Sequence, residues 1–240
     1  DDLTSRQQTG PGFQFENADL VPEHGVTLEL GARLDYEAVR IEVWGYRATL
    51  RDAIARSTRN TEDCPPSTPQ CGASWSRFQL VNLDGVAVIH GAEASVLVRL
   101  PHDIDVTANV AWARGDGDNP EPRTAGSVDY ESRVPLSRVP PLNGTVEALW
   151  KSTFGMHAGA SLRWALLQDR LAVSDVSDQR IPPGGTPGFA VLDIRSGYRW
   201  NDNFVAGLVF ENVTDAAYRY HGSSVNGAAR GLRLFAEFGF

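Results

Sequence analysis

Positive charge is in deficit in this chain. Its 22 Lys and Arg face 30 Asp and Glu, a formal net charge of −8 at pH 7. With no basic surface to displace counterions from phosphates, general nucleic-acid binding is excluded. No run of about 18 apolar residues occurs, so no helix crosses a membrane. A membrane barrel survives that test, because its strands alternate and leave little trace in a hydropathy window. Catalytic signatures are missing too. There is no G-x-S-x-G, no H-E-x-x-H and no recognisable pair of carboxylates, and Gly115-x-Gly117 lacks the third glycine and following helix of a dinucleotide site. The chain reads as a non-enzyme without a cofactor. Its 2 cysteines have no second Cys/His pair at zinc-ligand spacing, so no metal site is expected. Asp116-Gly117-Asp118-Asn119, with Glu121 and Asp129, departs from EF-hand spacing and reads as a solvated acidic loop. Asp1-Asp2 opens the chain with neither Met nor a charged-then-apolar leader, which predicts a removed leader or a piece of something longer. Disorder is excluded by a hydrophobic content of 42% over 240 residues.

What is present is alternation of period two. Leu232, Leu234, Ala236, Phe238 and Phe240 share one face, with Arg233 and Glu237 on the other. Ala190, Leu192, Ile194, Tyr198 and Trp200 oppose Asp193, Arg195 and Arg199. Met156, Ala158, Ala160, Leu162, Trp164 and Leu166 oppose His157, Ser161 and Arg163. Leu142, Val146, Ala148 and Trp150 oppose Asn143, Thr145, Glu147 and Lys151. Ile104, Val106, Ala108, Val110 and Trp112 oppose Asp105, Thr107 and Asn109. Ala92, Ala94, Val96, Val98 and Leu100 oppose Glu93, Ser95 and Arg99. Val39, Ile41 and Val43 oppose Arg40 and Glu42. Val26, Leu28, Leu30, Ala32 and Leu34 oppose Glu29, Arg33 and Asp35. Residues 204–210 are apolar on both faces. Together these are nine candidate strands whose apolar faces carry no charge.

A soluble β-sandwich also hides one face, so alternation alone does not choose between sandwich and barrel. Loop lengths do. Connections near 35–38, 101–103, 152–155 and 201–203 are tight, whereas those near 53–75, 116–139, 170–187 and 214–230 are long and rich in Pro, Gly, Ser and Asp. Short turns at one rim and long loops at the other mark an outer-membrane barrel. Tyr36, Trp150, Tyr198, Trp200, Phe204 and Phe240 gather at the short-turn ends, and Trp112 and Trp164 near the long-loop ends, as an aromatic girdle requires. The expected fold is therefore all-β, a transmembrane antiparallel β-barrel. Nine strands would leave two open edges that lipid does not tolerate, so further strands are expected beyond this chain. Residues 1–25 read as the end of an extracellular loop and 26–240 as membrane strands and their loops.

These residues resemble a TonB-dependent outer-membrane receptor. Glu16-Asn17-Ala18-Asp19-Leu20-Val21-Pro22-Glu23, then Leu28-Glu29-Leu30-Gly31, is similar to the family's N-P-x-L-x-P-E…x-E-x-G segment. Asn82 followed by Gly91-Ala92-Glu93 is similar to its N…G-x-E strand. Glu211-Asn212-Val213-Thr214-Asp215-Ala216-Ala217-Tyr218 resembles E-N-L-x-D-x-x-Y, and His221-Gly222-Ser223 with Arg230 leads into a strand with a terminal aromatic. Ala18 stands where Pro is usual, and Ala228-Ala229 where Pro-Gly is usual; both changes affect only local turns. The resemblance implies the last nine strands of a barrel of about 22, with the N-terminal plug domain and TonB box outside this chain. It implies the bacterial outer membrane as location and outer-membrane lipid, the plug, the remaining strands and TonB as partners. The implied activity is uptake of a scarce small-molecule ligand such as a ferric siderophore or other iron chelate, haem, cobalamin or an oligosaccharide. A structural or adhesive barrel without transport is the alternative, and a soluble sandwich binding module a more distant one.

The envelope is oxidising, so Cys64 and Cys71 are expected to pair and stiffen the first long loop by roughly 2–3 kcal/mol. Extracellular-loop contacts to the ligand are expected from Trp75, Tyr130, Tyr218, Tyr220 and His221. His221 could in principle ligate haem iron, but loop packing is the favoured reading. His102 falls in a short turn and reads as solvated. Phe240 reads as the terminal aromatic that targets a barrel to its membrane. Glu29, Arg33, Arg40, Glu42, Glu93, Arg99, Glu147, Arg163, Arg195, Arg199, Arg233 and Glu237 read as a wet inner wall of mixed charge, pairing across strands.

Overall fold

The computed structural model describes residues 12–68, 71, 76–121, 123, 130–176 and 178–239. Its strands among these are β1 (Gly12–Phe15), β2 (His24–Tyr36), β3 (Val39–Arg51), β4 (Ile54–Thr58), β5 (Ser76–Asn82), β6 (Val86–Leu100) and β7 (Ile104–Asp118). There follow β8 (Arg133–Pro135), β9 (Asn143–Lys151), β10 (Met156–Ala165), β11 (Phe189–Asn201), β12 (Phe204–Glu211) and β13 (Gly231–Phe238). A single-turn helix, α1 (Val173–Val176), lies between β10 and β11. Among the described residues no helix is long and apolar enough to cross a membrane.

Nine long strands form one open antiparallel sheet in the order β13-β12-β11-β10-β9-β7-β6-β3-β2, with β8 added to the end of β7. Every step is to the next long strand in the chain, a plain meander. Registers place the nine apolar faces side by side: Leu162 lies opposite Val146 and Leu192, Ala108 opposite Val96 and Val146, and Ile41 opposite Leu34 and Val96. One continuous apolar outer face results. It is open to the surroundings, with Leu30 82% and Leu234 74% exposed. A sandwich would cover that face with a second sheet; none is present among the described residues, so the sandwich reading falls.

The inner face carries the charges, and they pair across strands. Arg33 reaches Glu42 at 3.5 Å, Arg40 reaches Asp35 at 2.5 Å, Arg195 reaches Glu147 at 2.6 Å, and Arg233 reaches Glu211 at 2.7 Å. Aromatic rings on this face lie over glycines of the neighbouring strand. A Cβ on Gly31 would sit 2.2 Å from the Trp44 ring, and one on Gly207 would sit 2.7 Å from Phe235.

The short connections, 37–38, 101–103, 152–155 and 202–203, all lie at one rim. Glu37, His102, Asp103 and Gly155 take positive φ there, the left-handed geometry that tight hairpins need. Aromatics follow the rim: Trp200 stacks on Phe204 at 4.8 Å, Phe204 on Phe238 at 4.5 Å, and Trp150 meets Phe154 edge-on at 6.4 Å. At the other end of the outer face Trp112 packs against His90.

Three strands run further than the alternation predicts. On the outer face β3 continues through Arg47 and Thr49, and in the first part of β6 His90 lies opposite Arg114 of β7, with Asp116 of β7 one pair further on. These polar outer residues break the hydrophobic pattern while the backbone ladder continues, because above the apolar band the face meets water. The first long loop also differs from expectation. Its β4 and β5 pair with each other, and β1 adds in parallel to β5, making a separate three-stranded sheet at the long-loop end. Cys64 and Cys71 are bonded in the connection between β4 and β5, Cα–Cα 5.7 Å.

Candidate functional site

Buried residues concentrate where the long loops fold together. Ala53, Leu83 and Ala87 form a small core with Leu50, Ala55 and Leu136. Leu50 pairs with Ala87, in line with the charged side of the sheet, so the loops pack inward over the inner face. Side chains from the motif segments staple them. Asn82 both donates to the Val21 carbonyl and accepts from its N–H, each at 2.9 Å, while Asn17 donates to Leu80 O at 2.8 Å. Glu23 accepts the Ile54 N–H at 2.7 Å.

The acidic stretch at the end of β7 and just beyond is spent on such bracing. Asp116 is held by Arg114 at 3.2 Å and Arg170 at 2.5 Å, Asp118 by Arg133 at 3.0 Å, and Glu121 by Thr58. Among the described residues no group of three His, Cys, Asp or Glu converges on a metal position.

The last long loop, 212–230, is built on Asn212, which is 1% exposed with φ +48. Its amide donates to the carbonyls of Ala216 at 2.9 Å and Ala228 at 3.0 Å, and its Oδ1 accepts from Ala216 N–H at 2.9 Å. Asp215 accepts the Arg230 N–H at 2.9 Å, and that bond holds its carboxyl below the usual carboxylate range. The motif residues of this segment thus tie the two ends of the loop together.

From that base the loop returns Tyr218, Tyr220 and His221 to the inner face. Tyr218 and Tyr220 flank Phe189 at 5.1 and 5.3 Å. Arg163 donates to the Tyr220 hydroxyl at 3.1 Å, lies 5.8 Å over the Tyr218 ring and pairs with Asp193 at 3.0 Å. His221 Nδ1 is 2.9 Å from Thr186 Oγ1, and burial lowers its pKa. Its Nε2 is enclosed and finds no partner among the described residues. Beside these residues is a cavity of about 280 Å³, walled by Arg138, Arg163, Arg219, Trp164, Phe189, Tyr220 and His221 among others, with no carboxylate in its lining.

Tyr130 is elsewhere. It faces Arg123 at 5.9 Å and lines a polar cavity of about 680 Å³ with Arg59, Asp118 and Glu121. Trp75 and Phe240 lie outside the described residues, as does Asp129. The site residues that sequence reading passed over are Phe189, Arg138, Thr186 and Arg219. Phe189 had a signal, since it continues the inward parity of Asp193 and Arg195. Arg163 was legible as inward-facing, though only as part of the wall.

A family model described as TonB dependent receptor-like, beta-barrel, matches residues 1–213. The chain belongs to the TonB-dependent receptor family. It is therefore an outer-membrane β-barrel chain, of a family of transport receptors rather than enzymes. The copper transporter OprC superposes with a TM-score of 0.70 at 20% identity over 93% of this chain and 32% of that one. The FrpB iron transporter from Neisseria meningitidis gives 0.68 at 16% identity over 95% and 33%. The ferric-catecholate import receptor Fiu from K12 E. coli gives 0.63 at 21% identity over 97% and 30%. At such identities these structures share the fold with this receptor chain. It spans about a third of their length. No curated protein sequence matches it.

Proposed function

We propose that this chain is the C-terminal portion of a TonB-energised receptor, with 1–25 ending an extracellular loop and 26–240 supplying nine strands and their loops. Its whole protein takes up a scarce anionic chelate such as a ferric siderophore, working with a plug domain, the remaining strands and TonB. One observation carries the ligand assignment: the cavity beside Tyr220 and His221 presents three guanidinium groups and several rings, while Asp193 and Asp178, which pair with Arg163 and Arg138, stand outside its lining. Arginine forks and aromatic faces together suit a planar or aromatic anion. A neutral ligand gains less from guanidinium donors than an anion does and must displace the same hydration. The adhesive-barrel alternative gives no reason to build a cationic aromatic cavity at the long-loop end of the sheet.

Binding to the full-length protein in detergent tests this. A ferric tris-catecholate, an anion, and cyanocobalamin, uncharged overall, are titrated against wild type and Arg163→Ala by intrinsic fluorescence quenching. Loss of one charge-assisted hydrogen bond is worth about 1.5–3 kcal/mol, so catecholate affinity should fall roughly tenfold or more. Equal affinity in the two proteins, or tighter binding of cyanocobalamin than of the catecholate, removes the ligand assignment.

A further inference from the structure

The cavity's walls are of two kinds. One is a fixed frame. Gln168 and Thr186 exchange backbone hydrogen bonds at 3.0 Å in each direction, and Asp175 of α1, 2% exposed, accepts from Ser137 Oγ at 2.5 Å and Arg138 N–H at 3.2 Å. The other is the tip of loop 212–230, which touches that frame through three successive residues. Arg219 donates to Arg180 O at 3.3 Å, Tyr220 accepts from Arg163, and His221 meets Thr186.

Of these three tethers only the imidazole changes charge near neutral pH. The neutral tautomer with its proton on Nδ1 fits, because that N–H donates to the threonine hydroxyl and leaves no donor at Nε2. A protonated ring does not. It brings a second N–H to an enclosed Nε2 with no acceptor, and a buried unsatisfied donor is costly. The charged groups around it do not provide the missing partner. Asp175 already accepts twice, Asp178 is gripped by Arg180 and paired with Arg138 at 3.7 Å, and Arg138, Arg163 and Arg219 add like charge around the shared cavity.

We propose that neutral His221 is an acid-released latch: its protonation expels the imidazole, lifts the tip of loop 212–230 from Thr186 and Arg163, and dismantles the cavity. This rests on the site assigned above and states its regulation. The ligand site is whole at neutral pH and comes apart in acid, because Arg219, Tyr220 and His221 belong to the moving wall. A ring whose pKa is lower closed than open favours the open loop as pH falls. Opening therefore rises up to about tenfold per pH unit below an open-state pKa of about 6.5, until the closed-state pKa is passed.

Hydrogen exchange of the full-length protein in lipid nanodiscs, read by mass spectrometry on peptides covering 216–228, reports the latch without any ligand. Protection corrected for intrinsic rates should be level from about pH 8 to about pH 7 and fall with acidity from there to about pH 5 in wild type, and stay level throughout in His221→Gln. Only the slope matters, so a His221→Gln loop that is open throughout still counts as level. A level wild-type profile overturns the latch, and so does a His221→Gln profile that keeps the wild-type slope. If the latch titrates while Arg163→Ala leaves catecholate binding untouched, the ligand assignment fails and the latch stands.

Discussion

Asn212 shows how much one polar side chain can organise. It closes the base of a long loop through two donated bonds and one accepted bond, and it adopts a positive φ that asparagine tolerates better than most residues. Asn212→Leu leaves two buried carbonyls and one N–H unanswered and should cost about 1–3 kcal/mol locally. Faster trypsin cleavage after Arg219, with unchanged barrel mobility on a gel, is the expected readout; wild-type cleavage rates would show the staple to be dispensable. Asp215 adds a second pH-dependent fastening with its own window. Its carboxyl is lowered from 3.8 by the Arg230 N–H, so its contribution is full above the ordinary carboxylate pKa and lost as pH falls through the lowered value. Loosening of the loop in mild acid is thus expected from His221, and Asp215→Asn should leave that part of the profile in place. At this scale Tyr218, Tyr220 and His221 were legible because aromatic and imidazole chemistry is concentrated in one loop. Arg138 and Thr186 were not, because their importance comes from which loops fold beside them.

Strand faces follow a simple rule with opposed outcomes at adjacent residues. Ala160 of β10 lies on the outer face between Ala148 and Ile194, whereas Ser161 lies on the inner face between Glu147 and Asp193. Ala160→Arg places a cation on the lipid side and should cost about 2–4 kcal/mol near the midplane. Ser161→Arg sits between two carboxylates and should assemble as well as wild type. Folding of the full-length protein into lipid vesicles, scored by heat-modifiable gel mobility, separates them; equal yields would mean the faces are assigned wrongly. Eight of the nine long strands were readable from period two because lipid on one side and water on the other impose it residue by residue; β12, apolar on both faces, was read from its apolar run alone. The sheet of β1, β4 and β5 was not readable, since its strands are short. Its parallel pairing of Gly12 with Ser76 joins distant segments through Asn17, Gln79 and Asn82 rather than through a hydrophobic pattern.

Taken whole, the molecule has two unlike ends. Its packed core lies among the long loops, and the opposite rim is little more than hairpin turns and rings. Loop sorting made that polarity visible from sequence; the inward folding of the loops, which creates the cavity, depends on contacts that no local pattern encodes. The meander also has a parity. In a run of nine antiparallel strands the first and the last point the same way, so β2 and β13 could meet only as a parallel pair. A seam that keeps every pair antiparallel requires an odd number of strands between them, and the thirteen that would make about 22 satisfy it. The same parity gives the chain a direction across the membrane. The start of β2 is on the side of the long loops, and the end of β13 is on the side of the turns, so a membrane-impermeant label applied from one side reaches only one of the two.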